Sequence, residues 1–322
     1  MITVYLYQDG KTKKTDRVEP QWLDPASGVT LWVDVVQPTA DEGHPLLAET
    51  FHFHPLSVED ALGQAHHPKI EPYEGYLYII LHGIDFRPGE REFATRDVDF
   101  FLGATYLVTV HDGRSRSIQK LHEVCELHAH ILEEGPVALL HRIVDSMIDN
   151  YAPELAEIED QMDELEEEAI LGSGDNLVRP ILAVKRDLAG LRRVLIPQRD
   201  AVGRLARREF PQISNEMAYR FRDVYDHLVR YSDEAAMFQD RVTGILEGYL
   251  SAISNRLNQV MKVLTVMSTI FLPLTVLTGM WGMNVPLPAF PGGEHAQFWW
   301  VSGIMAAIIG VMLVVFHRKR WI

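Results

Sequence analysis

The chain has 322 residues and a formal net charge of −15, and this acidic balance argues against a nucleic-acid-binding protein, because a negative surface repels phosphate backbones. The single cysteine, Cys125, excludes an intrachain disulfide. The mean hydropathy is close to zero, but the apolar surplus lies at the C-terminal end and the acidic surplus before it. This division predicts a large cytoplasmic domain followed by a small membrane domain.

The first part of the chain has the pattern of an α/β domain. Short runs rich in Val, Ile, Tyr and Phe, separated by Gly, Pro and Asp, predict strands over residues 2–7, 30–36, 76–84, 96–102 and 106–110. Residues 103–105 are short enough to join the last two strands as a hairpin. Helical spacing at residues 40–51 and 56–63 predicts helices that pack against this small sheet.

Long helices follow, because the strand pattern stops after Val110. Periodic segments with few breakers occupy residues 115–134, 137–170, 175–208 and 214–281. At 1.5 Å per residue the last segment would be roughly 100 Å long, which predicts a rod that connects the cytoplasmic and membrane parts. We therefore divide the chain into an α/β cytoplasmic subdomain, a long-helix cytoplasmic subdomain that includes the start of the last helix, and a transmembrane domain, over residues 1–112, 113–260 and 261–322.

Two stretches near the C-terminus are long and apolar enough to cross a membrane. Residues 263–281 and 298–316 carry no charge, and about 20 apolar residues span a hydrocarbon core of about 30 Å. The second span begins with Trp299 and Trp300 and is followed by Arg318, Lys319 and Arg320. Basic residues favour the cytoplasmic side, so the pattern predicts a multi-pass protein of the inner (plasma) membrane, with both termini in the cytoplasm and residues 285–297 outside.

One face of the first span collects polar side chains. The positions that recur at helical spacing are Asn258, Met261, Thr265, Ser268, Leu272, Thr275 and Gly279, with Leu264 at the edge. Polar groups are costly against lipid, so this polar stripe should face protein or water. Two interpretations stay open, namely ordinary helix packing and the lining of a pore. Two helices per chain cannot enclose an aqueous path, so a pore would need several copies around a symmetry axis.

Gly282, Met283 and Asn284 end the first span. A glycine lets the backbone turn and approach closely, and a ring of Asn oxygens offers neutral acceptors to a cation that keeps its water. Mg²⁺ dehydrates reluctantly, so such a ring suits it better than a tight cage. The tripeptide therefore predicts a selectivity ring at the outer mouth of a pore.

With these residues the sequence resembles the CorA family of divalent-cation transport proteins, within the CorA/ZntB superfamily. The matching motifs are Asn-Gln-Val-Met-Lys-Val-Leu at 258–264, Pro-Leu-Thr at 273–275, Gly-Met-Trp-Gly-Met-Asn at 279–284, Phe-Arg-Asp-Val-Tyr-Asp-His at 221–227, His-Pro-Leu-Ser-Val-Glu-Asp at 54–60 and Pro-Lys-Ile-Glu at 68–71. The resemblance implies a funnel-shaped homopentamer in which the first span lines the pore.

The resemblance also implies roles for individual residues. By position they are Gly282, Met283 and Asn284 in the selectivity filter, Thr275 and Gly279 in a polar stretch below it, Leu264 and Leu272 in a hydrophobic constriction, Asn258 and Glu247 at the cytoplasmic end of the pore, and Arg318, Lys319 and Arg320 in a basic collar. Asp60 and Asp223 match the carboxylates that bind regulatory Mg²⁺ between subunits in the family. The expected mechanism is Mg²⁺ uptake driven by the membrane potential and inhibited by internal Mg²⁺.

The preferred ion is the part that the sequence leaves open. Trp281, Leu272 and Glu247 stand where the family more often has Tyr, Met and Asp, and these replacements are conservative enough to leave a channel intact. The departure that leaves the ion open is the outer loop, which is rich in proline and has Glu294 as its only charge. Transport of Co²⁺, Ni²⁺ or Zn²⁺ therefore remains an alternative, because the zinc-transporting ZntB branch, with its option of proton coupling, shares the architecture. The chain has no P-loop, so we expect neither ATP coupling nor an enzyme.

Two further clusters allow two interpretations each. His52, His54, His66 and His67 lie close together in sequence, which is either chance or a Zn²⁺ site, and a membrane-anchored zinc hydrolase is the remote alternative function. No His-Glu-x-x-His motif and no paired thiolates accompany these histidines. Residues 154–169 are crowded with acid, which indicates either a solvated helix or a cation-attracting surface.

Overall fold

A computed structural model of the chain describes residues 1–63, 67–84, 95–128, 130–171, 177–285, 291 and 294–321. The chain divides into two compact units. The first consists of Met1–Glu168 with Ser173–Leu246, and the second of Ala169–Gly172 with Glu247–Ile322.

The first unit contains a mixed sheet with the strand order β2-β1-β3-β7-β6-β5-β4. The strands are β1 (Ile2–Gln8), β2 (Lys11–Thr15), β3 (Thr30–Val36), β4 (Lys69–Tyr73), β5 (Tyr76–Ile84), β6 (Thr95–Leu102) and β7 (Tyr106–His111). Strands β3 and β7 are parallel, and the other neighbours are antiparallel. All five strands predicted from the sequence are confirmed, and so is the hairpin between β6 and β7.

The sequence reading missed the two edge strands, β2 and β4. Strand β2 reads Lys-Thr-Lys-Lys-Thr and has no apolar residue, and β4 contains Pro72. Both features are typical of edges, because charge and proline prevent further strands from adding there. A search for apolar alternation therefore does not find such strands.

Helices cover the sheet and extend beyond it. They are α1 (Ala40–His44), α2 (Pro55–Leu62), α3 (Arg116–Leu127), α4 (Pro136–Asp149), α5 (Tyr151–Leu171), α6 (Val178–Ala206), α7 (Asn215–Trp281) and α8 (Glu294–Arg318). One face of the sheet packs on the segment that contains α1 and α2, through Leu47, Phe51, Phe53 and Val58. Helix α4 contacts β3, β5, β6 and β7, and α6 contacts β4 and β5.

Three predicted helices are interrupted. The helix expected at residues 40–51 is α1 followed by a π-helical turn, Pro45–Thr50. The helix expected at 115–134 ends at Leu127, and a separate turn of 3₁₀ helix covers Ile131–Glu134. The segment at 137–170 is two helices that meet at Asn150, whose side-chain amide donates to the Ser117 hydroxyl at 3.1 Å. Pro153 lies four residues after Asp149 and has no N–H for its carbonyl, so the helix is interrupted there although the apolar periodicity continues.

A buried carboxylate joins β3 to its neighbours. Asp34 accepts hydrogen bonds from the Thr109 hydroxyl at 2.5 Å, from Nε2 of His111 at 3.0 Å and from Nε2 of His122 at 2.8 Å. Burial disfavours the charge, but the bonds from the two imidazoles outweigh it and hold the pKa of Asp34 well below its usual range. The network therefore stabilises this end of the sheet with Asp34 ionised.

Helix α6 is fixed to the sheet by one buried polar side chain. The pairing of β4 with β5 ends at Lys69 opposite Ile80, so His82 lies beyond the last residue of β4 that pairs with β5. Gln198, which is 0% exposed, accepts from the His82 N–H at 2.7 Å and donates to the His82 carbonyl at 3.1 Å. The hydroxyl of Tyr151 also donates to that carbonyl, at 2.8 Å. The Gln198 amide thus replaces a strand neighbour for the backbone of β5.

The second unit contains residues 247–281 of α7 together with α8. Both helices contain a stretch long and apolar enough to cross a membrane, with mean hydropathies of 1.9 and 2.3. The predicted spans at 263–281 and 298–316 lie within these helices, and α7 continues through Pro273. Residues 286–290 and 292–293 of the predicted outer loop lie outside the described residues.

The Gln198 contact can be tested by Gln198→Met, which keeps the length of the side chain and removes its hydrogen bonds. The variant removes the hydrogen bonds between Gln198 and the buried backbone of His82, so we expect a loss of about 1–3 kcal/mol in the free energy of unfolding. Chemical denaturation of the detergent-solubilised full chain measures this loss. The control is Gln119→Met, because Gln119 is exposed, and its replacement should change stability by no more than about 0.5 kcal/mol. Equal effects of the two variants would contradict the assignment.

Candidate functional site

The membrane stretch of α7 has one covered face and one exposed face. The covered or half-buried positions recur at helical spacing and are Val266, Thr269, Ile270, Pro273, Leu274, Leu277 and Trp281. Leu274 is only 8% exposed, and α8, in the same unit, has its own half-buried positions at helical spacing and a buried residue, Phe316. All predicted stripe positions lie on the opposite face and are exposed, with Leu272 at 70%. A single chain therefore leaves the polar stripe uncovered.

The threonines of the stripe present oxygen acceptors. Thr265 donates its hydroxyl hydrogen to the carbonyl of Met261 at 2.7 Å, and Thr275 donates to the carbonyl of Phe271 at 2.8 Å. A hydroxyl has one hydrogen and two lone pairs, so the outward side of each group can only accept. Such a surface suits cations and their water.

Gly282 is the first residue after α7. The Gly282 N–H donates to the carbonyl of Thr278 at 2.9 Å, and a Cβ at Gly282 would lie 3.1 Å from that oxygen. Gly282 lies in a turn directly after α7 and is not in the left-handed region, and its expected role at the outer mouth stays a prediction. Met283 and Asn284 follow as exposed residues.

The C-terminal tail lies beside the start of the membrane stretch of α7. Beyond α8, Arg320 has a φ of 55°, and the Trp321 N–H donates to the carbonyl of Phe316 at 2.9 Å. The Trp321 ring stacks on Phe316, and it lines a surface groove together with Asn255, Asn258, Gln259, Met261, Lys262 and Thr265. The predicted collar residues Arg318, Lys319 and Arg320 are exposed. The sequence analysis missed the contribution of Trp321.

Asp60 has a basic neighbour that the sequence analysis did not identify. Its Oδ2 lies 2.7 Å from Nζ of Lys69, which also lies 2.8 Å from Oε1 of Glu71. Lys69 and Glu71 are two residues apart in β4, so both side chains lie on the same face of the strand. The sequence shows the two-residue spacing of Lys69 and Glu71 within the motif at residues 68–71, but it does not show that Lys69 contacts Asp60.

Asp223 lies in a different environment. It is exposed on α7, and its charge contributes to raising the pKa of Asp145, although burial is the larger cause of that shift. Among the described residues no group of three or more His, Cys, Asp or Glu side chains could hold a metal ion. Asp60 and Asp223 thus have separate neighbours within one chain.

The comparison with known proteins bears on the whole chain. The sequence profile described as CorA-like Mg²⁺ transporter protein matches residues 27–318. The chain belongs to this CorA-like family. A putative metal ion transporter of Bacillus subtilis, YfjQ, is 33% identical over 290 residues, which covers 90% of this chain and 89% of that protein. The cobalt/magnesium transport protein CorA of Thermotoga maritima is 30% identical over 323 residues, which covers 99% of this chain and 91% of that protein.

A solved structure confirms the fold of this CorA-family chain. The complete CorA magnesium transporter of Methanocaldococcus jannaschii superposes with a TM-score of 0.85 and covers 100% of this chain and 99% of its own, at 24% sequence identity. At this identity the match establishes the fold, with an α/β part, a long helix and a C-terminal helix. The likeness extends over both compact units.

The two other clusters of this CorA-family chain have local explanations. His54 caps α2, because its Nδ1 accepts from the Leu56 N–H at 3.2 Å, and Nε2 of His67 lies 3.4 Å from Nη2 of Arg193. His66 lies outside the described residues. On the acidic helix α5, Asp163 and Glu166 pair with Arg241 at 2.5 and 2.6 Å, so part of its charge is neutralised. Neither cluster gathers metal ligands within the described residues.

A buried carboxyl lies near Asp60 inside the sheet. Burial raises the pKa of Asp99 to about 8, and the charges of Asp97 and Asp60 act in the same direction. The Tyr78 hydroxyl donates to Oδ1 of Asp99 at 2.5 Å. At neutral pH Asp99 is therefore mostly protonated in the folded chain.

This shift predicts a pH dependence of stability that Asp99→Asn should reduce. The folded chain keeps the Asp99 proton up to about pH 8, whereas the unfolded chain releases it near pH 4, so the wild type loses stability as the pH rises between these values. The amide of the variant cannot ionise. At pH 8 the variant should therefore avoid a loss in the free energy of unfolding that is on the order of a few kcal/mol in the wild type. Thermal unfolding of the full chain in detergent from pH 5 to pH 8.5 measures the difference.

The control for this experiment is Glu123→Gln, because Glu123 is an exposed carboxylate on α3. Its unfolding midpoint should follow that of the wild type at every pH. If Asp99→Asn lost stability with rising pH as steeply as the wild type, the assignment of a proton to Asp99 would be refuted.

Proposed function

We propose that this CorA-family chain forms a homopentameric channel that carries divalent cations, preferentially Mg²⁺, across the inner membrane. The observation that supports the proposal best is the two-sided α7, with one face covered within the second unit and the polar face uncovered. Copies arranged around an axis would bury that polar face toward water instead of lipid. Residues 1–112 and 113–260 then form the cytoplasmic part and residues 261–322 the membrane part.

Each section of the proposed path has a distinct chemistry. Asn284, with Gly282 and Met283, would hold hydrated Mg²⁺ at the outer mouth, and acceptor oxygens of the stripe would receive the ion below. Rings of Leu264 and Leu272 would close the path by excluding water. The remaining lining residues are Glu247, Asn258, Met261, Thr265, Ser268, Thr275 and Gly279, and Arg318, Lys319 and Arg320 would surround the inner mouth.

The membrane potential supplies the driving force in this proposal. Moving a divalent cation inward releases about 4.6 kcal/mol per 100 mV of inside-negative potential, which is twice the value for a single charge. This energy makes coupling to ATP unnecessary. The relatives are named as metal ion or cobalt/magnesium transport proteins, and these names support the class of cargo.

The conduction path is tested by uptake into proteoliposomes. Asn284→Leu should reduce Mg²⁺ uptake at least tenfold by removing the oxygen ring, and Thr275→Val should reduce it several-fold. The matched control is Thr269→Val, because Thr269 lies on the covered face and also donates to its own helix, to the Thr265 carbonyl at 2.7 Å. Unchanged uptake by Asn284→Leu, or equal losses from the two threonine variants, would refute this lining.

Parallel uptake of Mg²⁺ and Zn²⁺, with and without a proton gradient, identifies the ion. Uptake of Mg²⁺ that depends on potential alone supports the proposal. Zn²⁺ uptake that requires the proton gradient would replace it with the ZntB-like alternative. Absence of any ion uptake would contradict both.

Feedback by internal Mg²⁺ completes the proposed mechanism. Asp60 of one subunit and Asp223 of its neighbour would share Mg²⁺, and loss of the ion would leave two like charges that repel. The repulsion would shift α7, because Asp223 and the two leucines belong to the same helix. The closed state is then the Mg²⁺-bound state.

Neutralising both carboxylates should therefore remove inhibition. In Asp60→Asn/Asp223→Asn, uptake or current should persist at internal Mg²⁺ concentrations that stop the wild type. The measurement is electrical recording with Mg²⁺ applied to the cytoplasmic side. Glu123→Gln serves as the control and should be inhibited like the wild type. Full inhibition of the double variant would rule out these two ligands.

A further inference from the structure

We propose that Lys69 is a built-in competitor for the divalent cation at Asp60 and sets the Mg²⁺ concentration at which the regulatory site fills. This inference rests on the proposed role of Asp60. Its geometric basis is the ammonium group of Lys69, which lies 2.7 Å from Oδ2 of Asp60, the group that would bind Mg²⁺. A divalent ion that approaches this oxygen meets a cation already in place.

The fold holds the ammonium group where the competition occurs. Lys69 and Glu71 lie on one face of β4, and Glu71 is paired with Tyr78 of the neighbouring strand. Nζ of Lys69 lies 5.6 Å from the centre of the Tyr78 ring, within the range of a cation–π contact. Asp60 approaches from α2. The ammonium group is thus surrounded by two carboxylates and an aromatic face.

The ion pair between Lys69 and Asp60 is partly shielded from water, so its electrostatic attraction is strong enough to compete with a divalent cation. The side chains of Lys69 and Asp60 are only 30% and 23% exposed, so water screens this pair less than a surface pair. Nζ of Lys69 lies 2.7 Å from Asp60 and 2.8 Å from Glu71, so two carboxylates balance the charge of the ammonium group. The competing charge is therefore held beside Asp60.

Glu71 gives the ammonium group of Lys69 a second carboxylate with which it can form an ion pair. Its Oε1 lies 2.8 Å from the ammonium group, and its Oε2 accepts from the Tyr73 hydroxyl at 3.1 Å. When a divalent cation takes Asp60, Lys69 keeps an ion pair by moving fully to Glu71. The exchange costs one contact instead of leaving a half-buried ammonium group without a counter-ion. Lys69 thus raises the Mg²⁺ threshold without preventing binding.

The test compares variants that alter the charge of Lys69 or its second position. In Lys69→Gln the competitor is absent, so the Mg²⁺ concentration at half-maximal effect should fall about fivefold to tenfold. Lys69→Arg keeps the charge and should retain the wild-type midpoint within about twofold. In Glu71→Gln the ammonium group has only Asp60, so the midpoint should rise about twofold to threefold.

The readout is the shift in thermal unfolding of the detergent-solubilised full chain with added MgCl₂, at constant ionic strength maintained with KCl. The second readout is inhibition of uptake by internal Mg²⁺ in proteoliposomes. A purely structural role of Lys69 would lower the unfolding temperature without changing the Mg²⁺ midpoint. The midpoint, and its rescue by arginine, therefore separate competition from stability.

Asp60→Asn distinguishes failure of this inference from failure of the proposed function. If Asp60→Asn removes the Mg²⁺ response and Lys69→Gln leaves the midpoint unchanged or raises it, the competitor role is wrong and the regulatory site stands. An arginine variant that behaves like the glutamine variant also overturns the competitor role. If Asp60→Asn responds to Mg²⁺ like the wild type, the regulatory site itself is refuted.

Discussion

The membrane stretch of α7 has an apolar face that packs within the protein and a polar face that is poorly suited to contact with lipid. Apolar positions such as Leu274 pack within the second unit, and the stripe that includes Thr265 and Thr275 is left uncovered. A single copy in lipid would expose these acceptor oxygens and an Asn to hydrocarbon, which is unfavourable. This unfavourable exposure to hydrocarbon would be removed if further copies of the chain enclosed the stripe. Assembly and conduction then have the same physical cause, because the surface that requires other subunits is the surface that an ion would contact.

The direction of the hydroxyl hydrogens adds to this argument. Thr265 and Thr275 direct their hydrogens to carbonyl oxygens of α7 itself, at 2.7 and 2.8 Å. The stripe therefore offers lone pairs and no fixed donors at these two positions. Anions would find no hydrogen bonds there, whereas the water around a cation would. In the proposed pore, these two positions would therefore favour a hydrated cation over an anion before any formal charge is considered.

The sequence predicted the features that depend on local pattern. The five central strands, the hairpin at residues 103–105 and the two apolar helices follow from alternation, turn residues and hydropathy. It did not predict the edge strand β2, whose lysines carry no apolar signal, or the helix break at Asn150, because the apolar periodicity continues past Pro153. The stripe on α7 was visible in the sequence, because helical spacing alone places its members on one face. Which face of α7 is covered depends on packing within the second unit, so only the structure gives that answer.

The ion pair at Asp60 was hidden for a related reason, since α2 and β4 must fold together before Lys69 reaches the carboxylate. Its charge balance also bears on the choice of ion. Asp60, Glu71 and Lys69 together carry one net negative charge, and Asp223 of a neighbouring subunit would add a second. A divalent cation neutralises this set with Lys69 retained, whereas a monovalent ion leaves one charge uncompensated in a half-buried site. Lys69 therefore has two opposing effects in the proposed site. It competes with the incoming ion for Asp60, and its positive charge lowers the net negative charge of the site to the amount that one divalent cation neutralises.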